Sequence, residues 1–147
     1  MKKKTVLFFA VIFCFLASTT SANDVLSKFS ISDALQNEKV KQSLNNDIAL
    51  YWGDQSHKEI IKNYGSFKTS KRTNAFMKTK ESACQWALAS AVKALQDRAV
   101  KEGGNAVINI KSNIKNNEES SSTDFTCLAG SAMVNVALNG TVVNLAE

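Results

Sequence analysis

With 147 residues, 44% hydrophobic side chains and no proline, the chain has room for a single core of modest size and no rigid linker to divide it into two domains. Its formal charge of +5 rests on 18 basic against 13 acidic residues. A lone histidine, His57, confines imidazole chemistry to one position.

Residues 1–22 read as a cleavable signal peptide. Lys2, Lys3 and Lys4 form a positive leader, followed by an uncharged, mostly apolar run from Val6 to Ala17 that is too short to span a bilayer comfortably. Thr20-Ser21-Ala22 then sets small side chains at a cleavage site, predicting a mature chain that starts at Asn23. Cys14 follows Val11-Ile12-Phe13, with a bulky Phe where a lipidation motif has a small residue. The expected destination is the periplasm or the exterior, with no integral membrane anchor. Cleavage removes three lysines, which takes the formal charge from +5 to +2, and it also removes Phe8, Phe9, Phe13 and Phe15. The remaining core must be mostly aliphatic and rich in alanine.

Cys84 and Cys127 are the cysteines left after cleavage. In an oxidising compartment such a pair tends to be bridged, and closing a loop of some forty residues contributes about 3 to 4 kcal/mol by constraining the unfolded chain. The alternative is two buried thiols. Two Cys and one His are too few ligands for a structural metal site, and no cofactor is implied.

Residues 23–47 are expected to form a helical N-terminal arm. Ile31, Ala34, Leu35, Val40 and Leu44 follow helical spacing with a jump across Asn37, so two short helical pieces are predicted there. The rest, 48–147, reads as one α+β domain. Ile48–Trp52 is a short strand stopped by Gly53-Asp54, and Phe67–Thr73 a second. From Glu81 to Glu102 the residues Cys84, Leu88, Ala91, Leu95 and Ala99 form one apolar stripe on a long helix, ended by Gly103-Gly104. Ala106, Ile108 and Ile110 alternate with Val107, Asn109 and Lys111 as a half-buried strand, and 113–124 is a polar loop. Phe125–Leu138 is a long strand-like run in which Gly130 marks a bend. Asn139-Gly140 signals a hairpin, with Val142–Leu145 returning. Strands on both sides of one long helix predict an antiparallel sheet covered on one face by that helix, with Leu88, Ala91, Leu95, Ala99, Ile108, Ile110, Val134 and Val136 in the core.

Three stretches carry a resemblance: Ala83-Cys84-Gln85, then Gly104-Asn105-Ala106-Val107, then Cys127-Leu128-Ala129-Gly130-Ser131-Ala132. Together they resemble the periplasmic domain of RcsF-type lipoproteins, which sense envelope stress, and the helix-Gly-x-Asn-Ala-Val portion resembles the wider YbjQ-like group of small α+β domains. The resemblance covers somewhat under half of the chain and implies a fold more than a function. RcsF-type domains carry four cysteines in two bridges, and the positions matching Cys84 and Cys127 there pair with the two that are missing here. A Cys84–Cys127 bridge is therefore a new pairing. The whole mature chain is similar to a set of uncharacterised exported bacterial proteins, some labelled "excinuclease ATPase subunit". That label conflicts with the residues, because a phosphate-binding loop needs Gly-Lys-Ser or Gly-Lys-Thr before a helix, whereas Gly103-Gly104-Asn105 lacks the lysine and follows one.

Two features remain as candidates for function. Lys62, Lys68, Lys71, Arg72, Lys78 and Lys80 lie in a stretch free of Asp and Glu, with Tyr64, Phe67 and Phe76 interleaved. Such a face suits an anionic envelope component or an acidic protein patch; export disfavours nucleic acid. Trp86 lies on the helix side shared by Ser90, Lys93 and Asp97, either covered by the N-terminal arm through Leu35 or Val40 or left partly exposed as a partner anchor. The function expected is a non-enzymatic periplasmic domain that binds an envelope component or partner protein. A small secreted hydrolase using His57 and a structural homo-oligomer are the alternatives.

Overall fold

The computed structural model describes residues 23–147; the expected signal segment, Cys14 and the cleavage site lie outside the described residues. The chain opens with strand β1 (Val25–Ser30), followed by two short helices, α1 (Ile31–Gln36) and α2 (Glu38–Ser43). Ser30 caps the first helix by accepting from Asp33 N, and Asn37, in extended backbone, caps the second by accepting from Lys39 N. The two helical pieces stand where the spacing predicts them. The arm is not helical throughout, however, because β1 pairs antiparallel with a distant strand, from Val25 opposite Ala129 to Ser30 opposite Asp124.

The remaining elements are β2 (Ala49–Trp52), β3 (Ile60–Asn74), α3 (Lys80–Glu102), β4 (Ala106–Ile114), β5 (Asn117–Glu119), β6 (Asp124–Ala129) and β7 (Met133–Leu145). The fold is α+β, dominated by a seven-stranded sheet of order β1-β6-β7-β4-β2, with β3 on β7 and β5 on β4. Strand β7 pairs with β3 along its whole length, while its other edge meets β6 at Val134 and Asn135 and β4 from Leu138 to Val143. Serving three neighbours in this way curls the sheet. It is not wholly antiparallel, since β2 runs parallel to β4: α3 carries the chain back to the end where β2 began.

Helix α3 starts at Thr79, whose hydroxyl accepts from Ser82 N at 3.1 Å, and stops at Gly103, where φ of 84° suits glycine. Its stripe Cys84, Leu88, Ala91, Leu95 and Ala99 is buried, in one cluster with Val134, Val136, Leu138 and Val142 of β7. Cys84 and Cys127 are joined in a disulfide, tying the first turns of α3 to the middle of β6.

Three features depart from the expected pattern. Strand β7 runs unbroken through Asn139-Gly140, where the dipeptide predicts a turn, because Lys68 and Phe67 pair with these residues across the sheet. Glycine serves close packing there: a Cβ on Gly140 would stand 2.7 Å from Val107 Cγ1 and 3.2 Å from Leu95 Cδ1. The reversal lies earlier, between β6 and β7, where Gly130 N donates to Met133 O at 2.9 Å. On β4, Asn109 adopts φ of 51° at a break in register, and this bulge changes the phase of alternation. Val107 and Ile110 consequently enter the main core, while Ala106 and Ile108 join a second cluster with Val143 and Leu145. Finally, Gln96 on α3 is only 1% exposed. Its amide bonds Asn45 N at 2.9 Å, Asn45 O at 2.8 Å and Ile48 O at 3.2 Å, pinning the segment that leads into β2.

Candidate functional site

The basic stretch divides among three settings. Side chains alternate along a strand, and residues directly opposite in an antiparallel pair share a face. Phe67, Thr69, Lys71 and Thr73 therefore belong to the row opposite Gly140, Leu138, Val136 and Val134, on the side of the main core. Ser66, Lys68, Ser70 and Arg72 form the other row, opposite Thr141, Asn139, Ala137 and Asn135. Lys78 and Lys80 lie beyond the strand, at the turn into α3. All five cations named from Lys68 to Lys80 are exposed, and the salt bridges among the described residues involve other groups: Lys28–Glu119, Lys93–Asp97, Arg98–Glu102 and Lys111–Glu118.

The aromatics of the stretch divide as well. Tyr64 and Phe67 are partly buried against the core. The Tyr64 hydroxyl donates to Gly103 O at 3.2 Å, and the Arg98 guanidinium lies 4.1 Å from the Phe67 ring centroid. Arg98 Nε also sits 2.8 Å from Glu102 Oε1, as an ion pair rather than a directed hydrogen bond. Phe76, by contrast, is exposed, in the turn that joins β3 to α3.

The polar row borders a cleft of about 420 Å³ lined by Lys68, Ser70, Asn113, Lys115, Asn116 and Asn135. Lys68 Nζ donates to Asn116 Oδ1 at 3.3 Å across it. The nearby carboxylates on β5 are already engaged. Glu118 is held below the usual carboxylate range chiefly by the Asn139 amide, at 2.5 Å, with Lys111 and Lys68 adding to the effect. Glu119 is lowered in the same direction by its hydrogen bond from Lys28 and then by Thr126 Oγ1 at 2.6 Å, and the same contact raises Lys28. Their charge is largely answered locally, so Lys71, Arg72, Lys78 and Lys80 keep theirs for solvent or a partner.

His57 is exposed in the coil before β3; its Nδ1 lies 2.8 Å from Lys58 O, and its ring meets Tyr51 edge-on at 5.7 Å. Neighbouring chemistry there is a peptide carbonyl and a phenol, not an oriented nucleophile. Trp86 is half-buried, at the head of a stripe whose next members, Ser90, Lys93 and Asp97, are exposed. The adjacent Gln85 accepts from Asn37 Nδ2 at 3.3 Å, so the arm reaches this side of α3 without hiding the indole fully. Among the described residues, no group of three or more His, Cys, Asp and Glu side chains is placed to hold a metal ion, and no helix is long and apolar enough to cross a membrane.

Sequence reasoning named the cations but had no means of sorting them by face, and it treated Phe76 like Tyr64 and Phe67. Met77 it passed over altogether; an apolar pair set among lysines, immediately before the Thr79 cap, was the available signal. No family model matches the chain, and neither a curated protein nor a solved structure matches it.

Proposed function

We propose that this protein is an exported, non-enzymatic binding domain of the RcsF/YbjQ-like type, which docks an anionic component of the cell envelope through the basic surface of β3 and the turn after it. The observation that carries the reading is the set of exposed cations from Lys68 to Lys80, none of them in a salt bridge among the described residues. A field of this kind attracts anionic surfaces and weakens with salt. The disulfide suits an oxidising compartment, and binding is favoured over catalysis by the exposed coil that holds His57.

The test is sedimentation of the purified protein with washed bacterial envelopes over a salt series. Binding is expected to fall as salt rises. Lys68→Glu combined with Arg72→Glu should weaken it about tenfold or more while leaving the melting temperature in place. Binding that ignores both salt and these substitutions contradicts the reading.

A further inference from the structure

The turn between β3 and α3 places large apolar side chains outside and holds them there. Phe76 is 72% exposed and Met77 91%. Asn74 Oδ1 accepts from Phe76 N at 2.6 Å, Lys78 N donates to Ala75 O at 3.2 Å, and Ala75 N donates to Ala132 O at 2.8 Å, in the neighbouring β6–β7 turn. Met77 has φ of 58°, a left-handed conformation that is strained for a residue with a Cβ. A loose loop would relieve that strain and fold both side chains onto the surface. This one is braced at three points.

Strand register extends the apolar tip into an end of the molecule. Asn74 is opposite Met133, Val134 opposite Ala129, and Ala129 opposite Val25, so four strands finish level. Of the exposed large apolar side chains among the described residues, Val25, Leu26, Phe76, Met77 and Met133 lie at this end, and Ile60, Ile61 and Val100 at the other. Arg72, Lys78 and Lys80 stand around the tip, with Lys78 Nζ donating to Asn74 O at 3.3 Å. The carboxylates near them are Glu81, which follows Lys80, and Asp24, which shares a shallow cleft with Arg72 and Met133.

An apolar tip collared by cations matches the layering of an anionic bilayer, in which phosphates lie above hydrocarbon. We infer that this end docks on an anionic phospholipid surface, with Phe76 and Met77 entering the acyl layer while Arg72, Lys78 and Lys80 meet the phosphates. The inference rests on the proposal of an exported binding domain and names the membrane surface as the component it contacts.

The experiment measures co-sedimentation of the purified oxidised protein with vesicles of phosphatidylcholine alone or mixed equally with phosphatidylglycerol. Wild type should bind the anionic vesicles and not the neutral ones. Phe76→Ser and Met77→Ser should each weaken binding about tenfold, and Lys78→Gln or Lys80→Gln about fivefold each, all with unchanged melting temperature. Phe76→Trp should add fluorescence that brominated acyl chains quench. Absence of binding to anionic vesicles, or binding that survives the double apolar substitution, overturns the inference. If envelope binding then still depends on Lys68 and Arg72, the broader proposal stands and only lipid insertion is lost; if envelope binding fails as well, both fall.

Discussion

On β7 the residues Val134, Val136, Leu138 and Val142 enter the core beneath α3, while Asn135, Asn139 and Thr141 of the same strand meet Ser70, Glu118 and Ser66 on the other side. The first row is apolar and closed, in one core with the Cys84–Cys127 disulfide; the second is polar, hydrogen-bonded at the surface and bordered by Lys68 and Arg72. One strand thus separates a closed, stabilising face from one that meets solvent. Substitutions on the two sides should have opposite signatures.

The largest effect is expected inside. Cys84→Ser and Cys127→Ser should each lower stability by about 4 kcal/mol, and the double variant by little more, since both single changes remove the same link; denaturant unfolding reads this directly. Additive losses would mean that the sulfurs act separately. Gln96→Leu should cost about 2 to 3 kcal/mol, because it strips partners from Asn45 N, Asn45 O and Ile48 O. A neutral result there would show that the segment before β2 finds water or new partners easily.

The smallest effect is expected on the polar side. Glu118 and Glu119 have lowered pKa values in the folded state, so their contribution is complete above the ordinary carboxylate value of 4.5 and disappears as pH falls through the lower folded value. Lys28 is raised, so its share is present below 10.5 and lost only as pH rises beyond that. Acidification should therefore speed amide exchange in β5 and at Thr126 while α3 stays protected. Equal loosening of α3 would erase the distinction between the two rows.

Local pattern was enough wherever one element carried its own signal. Alanines and the Cys84–Ala99 stripe marked α3, Gly103 marked its end, the jump at Asn37 marked the break between α1 and α2, and the two remaining cysteines in an export context pointed to each other. It failed where distant pairing decided. Val25–Ser30 becomes a strand because β6 is available, Asn139-Gly140 stays straight because β3 accompanies it, and Asn109 shifts the phase of β4 without any turn dipeptide. The candidate site was legible as a set of charges only. Which aromatic is buried depends on partners such as Arg98 and Gly103, far away along the chain, and so Phe76 looked no different from Phe67. Trp86 is half-buried, so the arm does not cover it fully.

The bridge between Cys84 and Cys127 also bears on when the chain folds. Both sulfurs belong to fully buried residues in the centre of the core, so the link closes only once α3 and β6 have met. The stabilisation it contributes is a large fraction of the whole margin of a small domain. A chain kept reduced must fold without that contribution. Oxidation therefore locks a contact that folding has already made, following the meeting of α3 and β6 instead of directing it.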